Sequence, residues 1–285
     1  MRFVRNVKQP DWGVGRVLEE EHEGKVKVFF ENAGERTVAL GVAGLPPVDD
    51  GEVEPDNVLR HLKPDASGKY VVPPLTFKQI VENFRTAAKG GFDSPHYLEH
   101  ERNYKVKAAD LAASLLAPAR LKADLDGGAH DAIFDAHQKV VGKTNLLLRF
   151  ERSPLGEVKG EKRAPFADAL VGLLAGEGDF DARFDALAGA FTALGIGTWP
   201  TCTYALFLTR RQDHLFVRPT YVQRAAGALG YEIQYEPRPN SKTYRRILGF
   251  ASDVRKKLTA QGMPPRDMID VQSFLWVGGG GLRSA

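Results

Sequence analysis

His96-Tyr97-Leu98-Glu99-His100 is the sharpest chemical motif in the chain. It is an H-x-x-E-H, in which two imidazoles four residues apart share one helical face, the arrangement inverted zinc peptidases use to hold their metal. Such a site needs a distal carboxylate ligand, and Glu177 is the residue that would supply it. Ser94-Pro95 sets the motif in the first turn of its helix, a poor platform for two rigid ligands, so the competing reading is a pair of surface histidines. Glu157-Val158-Lys159 with Asp131 or Asp135 has the E-x-K order of magnesium-dependent nucleases. Those enzymes carry E-x-K on a buried strand, whereas Ser153-Pro154-Leu155-Gly156-Glu157 reads as a turn. Cys202, the one cysteine, has no His-plus-acid pattern nearby and reads as a small buried residue. Ser273 lacks the Gly-x-Ser-x-Gly elbow of a nucleophile. Asp267, Asp270 and Gln272 read as caps and hydrogen-bonding groups of a last helix. No cofactor site emerges.

Cations and aromatic rings form the broader signal. Arg210, Arg211, His214, Arg218, Arg224, Tyr235, Arg238, Lys242, Tyr244, Arg245 and Arg246 crowd one stretch. Phosphate binding needs cations, and Tyr or Arg planes between them stack on unpaired bases. The expected nucleic-acid contacts are Arg210, Arg211, Arg218, Arg238, Lys242, Tyr244, Arg245 and Arg246, the alternative being an ordinary solvated face. The overall net charge of +3 hides an asymmetry: residues 1–70 carry −3 and residues 200–285 carry +7. A surplus of that size on one segment suits a polyanion partner, DNA or RNA.

The elements that must position these groups follow from periodicity. At 285 residues, 43% hydrophobic and 26% charged, the chain suits one large or two modest globular domains. Apolar runs such as Ala169–Ala175 fall well short of the roughly 20 residues that span a bilayer, so no membrane partner is expected. One cysteine excludes an internal disulfide and a multi-cysteine zinc site, and the expected location is cytoplasmic. Gly15–Glu20, Lys25–Phe30 and Arg36–Leu40 alternate as strands, with Val26, Val28 and Phe30 on one face. Gly34 suits a positive φ in the connection after Asn32. A sheet of four or five such strands, closed on itself, makes a small barrel plugged by Trp12.

Val7, then Pro10-Asp11-Trp12-Gly13-Val14-Gly15-Arg16-Val17, then Val26-Lys27-Val28-Phe29-Phe30-Glu31-Asn32-Ala33-Gly34-Glu35-Arg36 resembles the Tudor-like module at the C-terminus of UvrD-type helicases. More loosely, it is similar to the polymerase-interacting domains of CarD and transcription-repair coupling factors. The resemblance covers roughly residues 2–42. It implies an SH3-like barrel docking on RNA polymerase or lying close to nucleic acid, with Arg16, Arg36 and an exposed Phe29 as the docking residues. Gly41–Asp56, with five acidic residues, departs from the pattern and reads as an insertion.

The remainder is helical. Residues 65–74 read as a linker and Thr76-x-x-Gln79 as a capping box. Helices are expected from Ser94-Pro95 to Pro118, over Ala129–Phe150, Pro165–Ala175, Phe180–Leu194 and Thr220–Leu229, from a cap at Asn240 or Ser241 to Gln261, and over Met268–Val277. Tyr231–Tyr235 alternates as a short strand, and residues 278–285 read as a flexible tail. Trp199-Pro200, His214–Pro219, Pro237–Asn240 and Asp267–Val277 resemble a group of bacterial proteins without an assigned activity. The expected architecture is α+β: a Tudor-like barrel with an acidic insertion over 1–64, then a mainly helical domain over 75–277, basic in its last third. The expected function is that of a non-catalytic accessory protein, the barrel engaging RNA polymerase or a nucleic-acid machine while the basic portion touches DNA or RNA. The alternative is a divergent metal-dependent hydrolase, nuclease or peptidase.

Overall fold

The alternation between Gly15 and Ala39 builds an antiparallel sheet in the computed structural model, which describes residues 1–31, 33–53, 57–71 and 76–277. Strands β1 (Phe3–Arg5), β2 (Val14–His22), β3 (Lys25–Phe30), β4 (Gly34–Ala39) and β5 (Pro47–Val48) lie in the order β4-β3-β2-β1-β5. Among the described residues β4 and β5 do not pair, so the sheet is open and the expected closed barrel is not formed. After β4 the chain turns through the single-turn helix α1 (Leu40–Ala43) and crosses to β1, where only two residues pair. Asn32, residues 72–74 of the expected linker and the 278–285 tail lie outside the described residues.

Both faces of the sheet are covered. Val26, Val28, Phe30, Val4 and Val38 fill one, with Trp12 tilted against Phe30 at 5.0 Å between ring centroids. On the other, Phe3 and the half-buried Phe29 meet Val48, Val53, Val58, Leu59 and Leu62. Parts of the expected insertion (residues 48–53) and linker (65–71), together with residues 57–64 between them, thus supply the second hydrophobic layer, folded as 3-10 turns at Asp50–Glu52 and Val58–His61 and a hairpin of β6 (Lys63–Pro64) with β7 (Tyr70–Val71). Aromatic side chains at both parities of β3 require a cover on each side.

Two glycines explain the Trp-Gly-x-Gly spacing. Gly13 adopts φ 75° and donates to the Pro10 carbonyl, closing the turn that carries Trp12. At Gly15 a Cβ would sit 2.5 Å from Val28 Cγ1 and 2.6 Å from the Phe30 ring. Gly15→Ala is expected to lower stability by about 1–3 kcal/mol through overpacking. Hydrogen exchange of the β2 and β3 amides in the full chain measures this; unchanged protection would show that the ring yields freely.

The helical region keeps its own hydrophobic cluster, whose members run from Phe77 to Val277 and include none from the sheet. Helix α2 (Phe77–Ala87) starts at the Thr76/Gln79 capping box. Ser94 caps α3 (Pro95–Tyr97), but the expected continuous helix is interrupted by a π turn over Leu98–Arg102 before α4 (Asn103–Leu115). Then follow α5 (Pro118–Asp126), α6 (His130–Val141) and α7 (Arg149–Gly156). The single helix expected from 129 to 150 is two, because α6 ends at Gly142 and Thr144 turns inward to bond Tyr204 Oη at 2.9 Å. Ser153–Gly156, expected as a turn, closes α7 instead.

Next come α8 (Arg163–Ala175), α9 (Phe180–Ala193), α10 (Trp199–Thr209) and α11 (Pro219–Ala228). Asn240 caps α12 (Ser241–Ala260) and Asp267 caps α13 (Met268–Trp276). Every residue from Trp199 to Leu208 and from Met268 to Leu275 is buried. A helix apolar all round belongs at a centre: α4, α8 and α9 pack on α10, and α2, α11, α12 and the π turn pack on α13. Tyr231–Tyr235 is not a strand. Its alternation is real, with Ile233 buried between exposed neighbours, but among the described residues no strand lies beside it. The segment instead lays Tyr231 against Phe250 and Tyr235 against Trp199.

Candidate nucleic-acid interface

The basic stretch divides according to what each cation touches. Arg218 donates to both oxygens of Glu151 at 2.8 Å and to the Leu146 carbonyl, and is nearly buried. Arg210 donates to Leu174 O at 3.0 Å, satisfying a carbonyl at the end of α8. Arg211 pairs with Asp110 at 3.2 Å and Asp267 at 3.6 Å. Tyr244 is 0% exposed, stacked on Phe184 at 4.7 Å, and donates to Leu215 O, so the expected base contact by this ring is ruled out. Arg245 is exposed, pairs with Asp181 at 2.7 Å and lies 5.1 Å over the Phe180 ring. Arg238, Lys242 and Arg246 are the remainder: solvent-facing to different degrees, with no carboxylate partner among the described residues.

These cations share the start of α12. Lys242, Arg245 and Arg246 stand at i, i+3 and i+4 on one face, and Arg238 lies in the bend that leads into the helix. Beside them His214 is half-buried, its Nδ1 3.3 Å from Tyr244 Oη. Burial pushes its pKa down to about 4, and neighbouring Arg210 and Arg245 act in the same direction. His214 is thus neutral near pH 7 and adds hydrogen-bonding capacity rather than charge.

His96 and His100 do come together, ring centroids 4.3 Å apart, and His100 Nδ1 lies 3.0 Å from the His96 carbonyl. Glu177 does not join them; it pairs with Lys122 at 3.1 Å on the surface. Among the described residues no three His, Cys, Asp or Glu side chains gather as a metal site. The nuclease set is likewise dispersed. Lys159 pairs with Glu157 at 3.3 Å in solvent, and Asp131 and Asp135 face Arg163 at 2.7 and 3.8 Å.

The buried chemistry around the motif comes from its neighbours. Arg102 donates to both oxygens of Asp267 at 2.8 and 2.9 Å and to Asp270 at 2.7 Å. Asp270 also accepts from Tyr97 Oη at 2.6 Å and from the Arg266 amide at 2.9 Å. Lys105, 1% exposed, directs its three ammonium hydrogens to Glu101, to Gln272 Oε1 at 2.9 Å and to Ser273 Oγ at 2.8 Å. The π turn brings Glu101 and Arg102 inward together, and α13 supplies their partners. A Ser–Lys pair could serve a hydrolase, but this one is sealed from solvent with every hydrogen committed. It fixes α13 to the π turn. Cys202 is buried too, and burial pushes its thiol up to about 12, leaving it protonated.

Of the docking residues expected in the sheet, Arg16 donates to Leu59 O at 2.9 Å and ties β2 to the second layer. Phe29, expected to be exposed, packs beneath that same layer. Arg36 is exposed, 5.9 Å over the Trp12 ring.

The fold thus defines a mixed α and β protein: an open antiparallel sheet with two covered faces, followed by a mostly helical region. A family model described as a protein of unknown function (DUF3553) matches residues 2–48, the span of the sheet. Neither the curated proteins nor the solved structures hold a match to the chain. No helix of the described residues is long and apolar enough to cross a membrane.

Proposed function

We propose that this is an accessory protein that works by binding rather than by catalysis, contacting the phosphates of DNA or RNA through the start of α12. One observation carries the reading. In a stretch where Arg210, Arg211 and Arg218 are committed to partners within the chain, Arg238 and Lys242 are exposed and Arg246 is half-buried, none of them with a carboxylate partner among the described residues. Unpaired cations on one helix face suit a polyanion, which repays them by releasing its counterions. With these three as phosphate contacts, log affinity is expected to fall against log salt with a slope of about −2 to −3. The variant Arg238→Glu/Lys242→Glu/Arg246→Glu is expected to bind at least about 100-fold more weakly at 0.1 M salt. Fluorescence anisotropy on a labelled oligonucleotide measures both, and a variant that binds like the native chain removes the reading.

The sheet is the docking head in this proposal, in keeping with its resemblance to Tudor-like and polymerase-interacting modules. Arg36 and the exposed edge of Trp12 are its contact residues, Phe29 and Arg16 being engaged within the fold. RNA polymerase is expected to co-purify with the full chain and to be lost on Arg36→Glu. Equal recovery with both chains would discard this half of the proposal.

A further inference from the structure

Three aromatic groups flank the cation face of α12, and their placement bears on the kind of nucleic acid it takes. At one side Phe180 is half-buried under Arg245, 5.1 Å from ring centroid to guanidinium carbon, and His214 lies 5.1 Å from the same ring. Asp181 holds Arg245 in place at 2.7 Å, so the guanidinium over the ring is a fixed platform. One turn further along the face, Gly249 follows Arg245 and Arg246 at i+4 and i+3. The half-buried Tyr231 sets its hydroxyl there, where a Cβ on Gly249 would meet it at 3.0 Å. Tyr231 packs against Phe250 at 5.4 Å, and its hydroxyl has no partner among the described residues. The order along the helix is thus cation, cation over an aromatic ring, cation, then a second aromatic ring.

We propose that this face binds a single strand, its phosphates on Lys242 and Arg246 and its bases on the Arg245–Phe180 platform and on Tyr231. The inference rests on the nucleic-acid reading above and narrows it. Successive turns of α12 rise by about 5.4 Å, a spacing an extended strand can follow. Bases stack on aromatic rings and Arg planes whatever their sequence, but only when unpaired. A duplex presents its phosphates and hides its base faces, so it would use the cations and gain nothing from Phe180 or Tyr231. The rings therefore discriminate strand from duplex, and the lysine and arginines do not.

The test compares a fluorescent oligothymidylate strand with a duplex of equal length, by anisotropy at fixed salt, using the full chain. The strand is expected to bind at least about 10-fold more tightly. Tyr231→Leu and Phe180→Leu are each expected to weaken strand binding by about 5- to 100-fold and to leave duplex binding unchanged. Phe180 also touches the core, so thermal melting accompanies each variant, and Tyr231→Leu alone decides the matter if Phe180→Leu does not fold. Duplex binding as tight as strand binding, or full strand affinity in folded Tyr231→Leu, overturns the single-strand inference while leaving the nucleic-acid reading in place. Failure of the native chain to bind either probe overturns both.

Discussion

Asp270→Ala is expected to destabilise the helical region by about 3–5 kcal/mol, the cost typical of removing one partner from a buried ion network. Asp270 is 0% exposed and answers four groups at once: the Arg102 guanidinium, the Tyr97 hydroxyl, and the amide and guanidinium of Arg266. Asp267 still holds two Arg102 hydrogens, so the guanidinium keeps part of its compensation. Tyr97 does not, and its hydroxyl would be left without an acceptor beside a new cavity. The loss corresponds to a fall in melting temperature on the order of 10 °C for a region of this length. Asp270→Asn keeps the volume and one acceptor but turns an amide donor towards groups that are themselves donors, so it is expected to recover only part of the loss. Urea unfolding at neutral pH measures both. A change below about 1 kcal/mol for Asp270→Ala would mean that these groups find solvent or other partners.

His137 carries the second large effect, and it depends on pH. The ring sits on α6, 2% exposed, edge-on to Phe166 at 5.2 Å and near Tyr204 at 6.1 Å, and neither nitrogen has a hydrogen-bond partner among the described residues. Burial pushes its pKa down to about 4 from 6.5. The folded chain therefore binds fewer protons than the unfolded chain between those values, and stability is lost as pH falls from about 6.5 towards 4. The share owed to this residue is about 2 kcal/mol at pH 5 and approaches 3 at the lower limit. His137→Phe retains the ring and removes both unpartnered nitrogens. It is expected to be at least as stable as the native chain at pH 7 and to gain about 2 kcal/mol over it on moving to pH 5. The comparison cancels the other titrating groups, His214 among them. Urea midpoints of the two chains that shift in parallel between pH 7 and pH 5 would contradict the assignment.

Local signals were legible in the sequence wherever the cause was itself local. The Thr76/Gln79 box, the Ser94-Pro95 start and the caps at Asn240 and Asp267 each involve groups within four residues of one another. The two-residue period of β3 likewise identified Val26, Val28 and Phe30 as one face. Period says which face a side chain takes but not what lies at a strand's edge, so it could not tell an open sheet from a barrel. Nor could it show that the acidic stretch to Tyr70 covers Phe29. The candidate interface was legible as composition only. Arg218 and Arg246 are the same residue type in the same basic stretch, and what separates them is Glu151, 67 positions away. The Lys105 network escaped notice for the same reason, since its partners on α13 lie over 160 residues downstream. A signal was present there: Asp, Gln and Ser within the otherwise apolar Met268–Trp276 are out of place on a central helix unless something buried answers them.

The turn over Leu98–Arg102 holds one more residue than a regular helix would. Deleting a single codon there would restore ordinary pitch and relieve the local distortion. Because the wide turn already absorbs the extra residue, Tyr97 and Lys105 would keep about the same angular relation; what would change is which residues of the turn face inward, where Glu101 and Arg102 are buried side by side. Substitutions at solvent-facing Glu99 leave that inward pair intact; loss of a residue from the turn does not. The constraint on this stretch falls on its length rather than on its lettering, and in-frame deletions should be far more harmful there than exchanges at the same site.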